Sequence, residues 1–308
     1  MRIMDFQNNG MGDVVLGCWI VNSALAMGEE VLINPRKYFK VAELLSIPGH
    51  LVTSRSGGNW TQLRERGFVH ELEQAHINPK SRFEFWAESL DLPGLKPVRP
   101  EARIDKGMEQ WAEDEWAKFS VYENAPRVVI FPEATRETRK WPTMHWLGLV
   151  EEMRDKYTIC VMTTDWRAAQ PFDCFRYWGQ PFHSLAAMVA SADLVLSADS
   201  GAAHLASTLK VPVFSPFGPT IADVVFGHEP YAFPITTDQI GCVGCNFSQE
   251  MGYKSHCNHG CLALHLLSPK EVLKKIEDVV ITGSAAPSKD QGSMLKNNIR
   301  SLAGIFRG

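Results

Sequence analysis

The 308-residue sequence has no apolar run long enough to cross a bilayer. Met1-Arg2-Ile3-Met4-Asp5 passes into a short strand pattern without the layout of a secretory leader, so a soluble cytoplasmic chain is expected. A basic excess is also missing. The net charge is -4, with 14 basic against 18 acidic residues up to Pro126 and 17 against 17 beyond it. Neither half has the electrostatic footprint of a dedicated duplex binder, so nucleic acid is not the expected partner. Cysteine, at 7 residues, is too sparse for a small disulfide-stapled fold, and 45% apolar content is enough to fill two ordinary cores. No Asp-x-Asp pair falls near a strand end, which weakens a mechanism that holds a divalent cation on a diphosphate.

What is present is repeated strand, turn and helix. Leu194 to Leu196 reads as a strand, Ala198-Asp199-Ser200-Gly201 as a polar turn, the segment through Leu209 as a small-residue helix, and Val211 to Phe214 as the next strand. Ligands sit at the carboxyl ends of strands in open α/β sheets, and the free N–H groups of a helix start favour phosphate. Asp199, Ser200, Gly201 and His204 are therefore candidate phosphate-site residues, with helix capping by Asp199 or Ser200 and core packing of His204 as the plainer alternatives.

The amino-terminal segment has the same grammar. Arg2 to Phe6 reads as a strand, Gln7 to Asp13 as a turn containing Gly10-x-Gly12, and Val14 to Met27 as a helix. Val15 stands where the third glycine of a dinucleotide fingerprint would be, so NAD binding is not expected. Asp13 has two readings, a first-turn acid favoured by the helix dipole or a general base at the mouth of the sheet. After the linker Tyr122 to Pro126 the alternation restarts with a strand at Val128 to Phe131 and the loop Pro132 to Pro142. That loop has three cations and two threonines, and Lys140 followed by Thr135 are its first candidates for a diphosphate. Asp165, at the end of the next strand, is a candidate ribose acceptor.

Cys242-x2-Cys245-x11-Cys257-x3-Cys261 has two close pairs suited to a structural tetrathiolate site for zinc or iron, with no open position for substrate. The expected organisation is a domain over 1–126, a second over 127–282 containing the cysteine-rich loop, and a linker with an amphipathic helix over 283–308. That last helix either docks on the first domain or touches an anionic surface, which would make the chain peripheral to a membrane.

Gly10-x-Gly12-Asp13, Lys140-Trp141-Pro142, Asp199-Ser200-Gly201-x2-His204-Leu205-Ala206 and Phe217-Gly218-Pro219-Thr220, in that order, resemble the family 9 glycosyltransferases, the ADP-heptose:lipopolysaccharide heptosyltransferases. The resemblance implies an α/β GT-B fold, two Rossmann-like domains facing across a cleft. It also implies inverting, metal-independent transfer of a sugar, heptose or similar, from a nucleotide-diphosphate donor to a hydroxyl of a glycan or lipid-linked acceptor, with no cofactor required and with a protein acceptor as a same-family alternative. Asp13 would be the base, Lys140 would meet the diphosphate, and Asp199 to Gly201 would hold the donor. Ser200 replaces the family's usual threonine, and Glu133 stands where the family tends to have a small residue. Transfer to a nucleic-acid base, nucleotide-sugar binding without catalysis, and epimerisation are the alternatives.

Overall fold

The structure is a computed structural model that describes residues 2–6, 10–54, 80–119, 125–245 and 260–282. In the first domain β1 (Arg2–Asp5) pairs in parallel with β2 (Val31–Asn34), and α1 (Met11–Ala26) forms the crossover. A bridge from Ile33 to Val52 extends this sheet. After β2 the chain forms a 3-10 turn, Arg36–Tyr38, followed by α2, Phe39–Leu44. Arg36, at the start of the turn, adopts a left-handed backbone at φ 51°. From there its guanidinium forks onto the buried Asp5 carboxylate, with Nε and Nη2 each 2.6 Å from an oxygen. This bidentate pair neutralises a buried charge at the end of β1, immediately before the glycine turn.

Every residue from Val14 to Val21 of α1 is buried. An all-round apolar helix has no solvent face and must be covered on several sides. One side lies on the first-domain sheet and another on the second domain. Next come α3 (Arg82–Ser89) and α4 (Lys106–Phe119). Ser81 and Glu84 cap α3 reciprocally, Ser81 Oγ accepting from the Glu84 N–H at 3.2 Å and Glu84 Oε2 from the Ser81 N–H at 2.8 Å. Although it precedes the linker, α4 buries Ala112 and Trp116 in the core of the second sheet.

The second domain has a six-stranded parallel sheet built from β3 (Arg127–Phe131), β4 (Thr158–Thr163), β5 (Phe175–Trp178), β6 (Leu194–Ser197), β7 (Val213–Pro216) and β8 (Ala232–Ile235). Its order is β5-β4-β3-β6-β7-β8. This is the doubly wound order, whose crossovers reverse direction between β3 and β6 and open a crevice at their carboxyl ends. The helices between strands are α5 (Thr143–Met153), α6 (Trp166–Ala169), α7 (Phe182–Ala190), α8 (Gly201–Thr208) and α9 (Ala222–Phe226). After β8 come α10 (Leu262–Leu266) and α11 (Pro269–Thr282). The strand after α8 begins two residues later than the sequence pattern suggests. Both outermost strands lacked a sequence signal, because β5 alternates half-buried with exposed residues and β8 contains Pro234, which only an edge or near-edge position tolerates readily. The expected carboxyl-terminal helix at 294–306 lies outside the described residues.

The two domains join through α1 and α8. The Trp19 indole N–H donates to Thr208 Oγ1 at 2.9 Å, and Thr208 donates to the His204 carbonyl at 2.8 Å. At the other end of the pair the helix starts meet with no room for side chains. A Cβ on Gly201 would lie 2.8 Å from the Gly12 nitrogen, and a Cβ on Gly12 would lie 2.7 Å from His204 Cδ2. Gly12 is thus the docking point for a second helix, whereas a Cβ on Gly10 would meet nothing within 4 Å. Gly201→Ala is expected to cost about 1–3 kcal/mol in urea unfolding, because the obstruction is backbone. Gly49→Ala, where a Cβ meets nothing within 4 Å, is the control and should stay within about 0.5 kcal/mol.

Candidate active site

The crevice between β3 and β6 opens into a cavity of about 810 Å³, within the range of small-molecule sites. Its walls come from both domains. The first contributes Gly10 to Asp13 at the start of α1, Tyr38, and Arg82 from the first turn of α3. The second contributes Glu133 to Arg136 and Arg139 from the β3 loop, Thr163 and Thr164 after β4, Gly179 and Gln180 after β5, and Asp199 to Ala202 with His204 from the β6–α8 turn.

Two helix amino termini, α1 and α8, therefore reach one cavity with their free N–H groups and positive dipole ends. Arginine adds to this field. Burial, and then the neighbouring charges of Arg139 and Arg82, hold the Arg136 guanidinium below its ordinary range. Three guanidiniums thus act on one another across the site. Arg139 Nε lies 3.4 Å from Asp199 Oδ2, yet it is buried and makes no hydrogen bond among the described residues. Asp199 is itself buried, and its Oδ2 accepts a hydrogen bond from Thr220 Oγ1 at 2.7 Å. It ties the β6 turn to the Phe217–Thr220 turn and to Arg139, which makes it an anchor within the wall. Ser200 is the residue before α8 but makes no side-chain cap bond, and its Oγ lies 3.3 Å from Ser197 Oγ.

Lys140 is not in the cavity wall. Its ammonium pairs with Glu137 Oε1 at 2.5 Å on an exposed surface, and Arg139 takes the place expected for it. The reason is local. The 3-10 turn Glu137–Arg139 ends in an extended Lys140, so successive side chains alternate in direction. Arg139 points in, Lys140 out, and Trp141 is buried with its indole N–H on the Leu267 carbonyl at 2.9 Å. Asp165 is also outside the wall. Its Oδ1 caps α6, accepting from the N–H groups of Arg167 at 2.8 Å and Ala168 at 3.1 Å. Thr135 and Asp13 do line the cavity, and Asp13 Oδ2 accepts from the Gly10 N–H at 3.2 Å.

The group behind His204 has no sequence signal. Its Nδ1 lies 2.5 Å from Glu229 Oε1, and both side chains are buried. Burial opposes the imidazolium, but the Glu229 carboxylate outweighs it and raises the His204 pKa above its ordinary value. Burial raises Glu229 in turn, with His204 opposing. His228, packed between Trp19 and Phe83, is pushed well below its ordinary value by burial and by the His204 charge.

Of the four clustered cysteines, Cys257 lies outside the described residues. Cys261 is buried under Gly218, while Cys242 and Cys245 are half-buried. Among the described residues no three His, Cys, Asp or Glu side chains gather as a metal site, and Cys257, the remaining member of the expected zinc or iron cluster, is not among them.

This geometry, a cavity at the switch point of a doubly wound sheet with a second α/β domain closing it, has counterparts among known proteins. Residues 180–261 match glycosyltransferase family 9 (heptosyltransferase). The matched region includes the β6–α8 turn, His204, Glu229 and all four clustered cysteines, Cys261 being its last residue. A search of the curated proteins found no match. Among solved structures, the family 9 glycosyl transferase from Veillonella parvula is 13% identical at a TM-score of 0.63, covering 91% of this chain and 97% of that one. The E. coli ADP-heptose lipopolysaccharide heptosyltransferase II is 14% identical at a TM-score of 0.57, covering 92% and 100%. The iron-containing dodecameric glycosyltransferase TibC of enterotoxigenic E. coli is 14% identical at 0.61, covering 93% and 80%. These likenesses establish the fold, which is α/β of the GT-B type, as the sequence resemblance implied.

The buried dyad gives a direct test. Glu229→Gln removes the charge that raises His204, so the His204 ring, followed by NMR, should titrate at a lower pH than in the wild-type protein. The sign follows from linkage: a raised folded-state pKa adds stability below the unfolded value of about 6.5 and loses it as pH rises through the folded value. The variant should therefore lose the most stability, relative to wild type, on the acid side of that window.

Proposed function

We propose that the chain is a glycosyltransferase that moves a heptose-like sugar from a nucleoside-diphosphate donor to a hydroxyl of a glycan, lipid-linked or protein acceptor. The observation that supports this best is the meeting, in one cavity, of a carboxylate from the first domain with two helix amino termini and two arginines of the β3 loop. The family 9 match over residues 180–261, and the printed names of the structural relatives, point the same way.

In this reading Asp13 takes the proton of the acceptor hydroxyl while that oxygen attacks the anomeric carbon from the face opposite the diphosphate. The bond to the diphosphate breaks in the same displacement, which inverts the configuration. Gly10 holds Asp13 in place through its N–H, and Gly12 lets the base approach the donor-side helix. The charge left on the diphosphate is met by Arg139, Arg136, and the N–H groups at Gly201 and Gly12, donors fixed before the reaction begins. Ser200 and Thr135 add neutral donors, and Asp199 keeps Arg139 aimed. The arginines and helix starts supply what a divalent cation would supply on the diphosphate, so transfer proceeds without one. No described helix is long and apolar enough to cross a membrane; a lipid-linked acceptor would be met by the chain acting peripherally at the cytoplasmic face.

Two measurements test this. Asp13→Ala should lower transfer by about 10²–10⁴-fold with little change in ADP affinity, whereas Arg139→Ala should weaken ADP binding. Turnover that survives Asp13→Ala removes Asp13 as the base, and conversion of donor without acceptor marks an epimerase instead. Transfer assayed with excess EDTA should proceed at the rate seen without it, and loss of activity there would end the metal-independent account.

A further inference from the structure

The cavity is electrically polarised along the sheet edge. Across β3 and towards β6 lie the helix starts of α8 and α1 with Arg136 and Arg139, while towards β4 and β5 the wall carries one carboxylate, Glu133. Its position is fixed twice. The Thr164 N–H donates to Oε2 at 2.6 Å, and Thr164 Oγ1 donates to Oε1 at 2.9 Å. Each oxygen keeps acceptor capacity after these bonds. Held this way, the carboxylate makes no ion pair among the described residues, although arginines line the same cavity.

An unpaired carboxylate repels phosphate and favours a part of the ligand that presents hydroxyl donors. A nucleoside-diphosphate sugar has two such parts, one on each side of the diphosphate. The transferred sugar must lie towards Asp13 on α1, which abuts α8 on the β6 side of the sheet. Glu133 is bonded to the end of β4, on the other side of β3. The hydroxyls within its reach are those of the ribose. Acidic side chains at strand ends accept hydrogen bonds from ribose in other doubly wound sheets. Asp165, the sequence candidate for that role, has its carboxylate engaged as a helix cap.

We propose that Glu133 accepts hydrogen bonds from the 2′- and 3′-hydroxyls of the donor's ribose and so selects ribonucleoside diphosphates and sets the direction in which the donor lies. This rests on the cavity being the donor site. The carboxylate excludes phosphate from the β4 end, leaving the nucleoside there and placing the diphosphate under the arginines. Thr164 is a positioning residue in this arrangement, since its N–H and hydroxyl both donate to the Glu133 carboxylate.

The test is calorimetric binding to the full chain of ADP, GDP, UDP and CDP, followed by the 2′,3′-dideoxy form of whichever binds best, with pyrophosphate as the phosphate-only probe. Wild-type protein should prefer the ribonucleotide by about 10- to 100-fold, as expected for hydrogen bonds to a charged group. In Glu133→Ala the preference should fall to about threefold or less, with pyrophosphate bound at least as tightly as before. Glu133→Gln, which keeps an acceptor oxygen and the link to Thr164, should retain an intermediate preference and a wild-type Tm. Equal weakening of both nucleotides in Glu133→Ala would mean that Glu133 only staples two loops, and would overturn the proposal. Failure of the wild-type protein to bind any of the four nucleotides would instead overturn the donor-site reading on which it rests.

Discussion

The contact on which the rest of the molecule depends is the one between two helix starts that have no side chains between them. Gly12 and Gly201 bring the backbones of α1 and α8 together, and no larger residue fits at either position without moving main chain or the buried His204 ring. This contact turns two separate α/β units into one site. It aims two dipoles at a common space and brings Asp13 from one domain alongside the Asp199–Gly201 turn of the other. It also explains the composition of α1, which is apolar all round because it is sandwiched.

Positive charge concentrated in this way must be managed when the cavity has no ligand. The protein manages it with a few acids, two of them buried, each with a separate task. Asp199 faces Arg139 and is held by Thr220, while Glu229 faces His204 deep behind the wall. Glu133 sits at the opposite end of the cavity, bonded to Thr164. The result is a gradient along the sheet edge instead of a uniform anion hole, and an extended ligand with one charged segment has a preferred direction within it.

Much of the fold was legible because the inner strands of the second sheet are continuous apolar runs punctuated by polar turns. Val128 to Phe131, Thr158 to Met162 and Leu194 to Leu196 could be read directly, as could the turn at Asp199. The edge strands were not legible, since Phe175–Trp178 and Ala232–Ile235 owe their conformation to a neighbouring strand and not to their own pattern. In the β3 loop, residue type singled out Lys140, whereas the cavity wall holds Arg139. Lys140 and Arg139 are adjacent, and only the 3-10 turn before them decides which one faces inward. Asp165 failed as a ribose candidate for a similar reason, because capping claimed its carboxylate. The His204–Glu229 dyad had no sequence signal at all, its partners being 25 residues apart and paired only by packing.

The central claim is that both helix starts bind the same diphosphate. An amide ¹H–¹⁵N spectrum of the deuterated protein, titrated with ADP, tests it without knowledge of sugar or acceptor. The account predicts that the amides of Gly12 and Gly201 shift together along one saturation curve, because each lies at the cavity wall. A shift at Gly201 with Gly12 unmoved at saturation would contradict it, and would leave the first domain a neighbour of the nucleotide site rather than part of it.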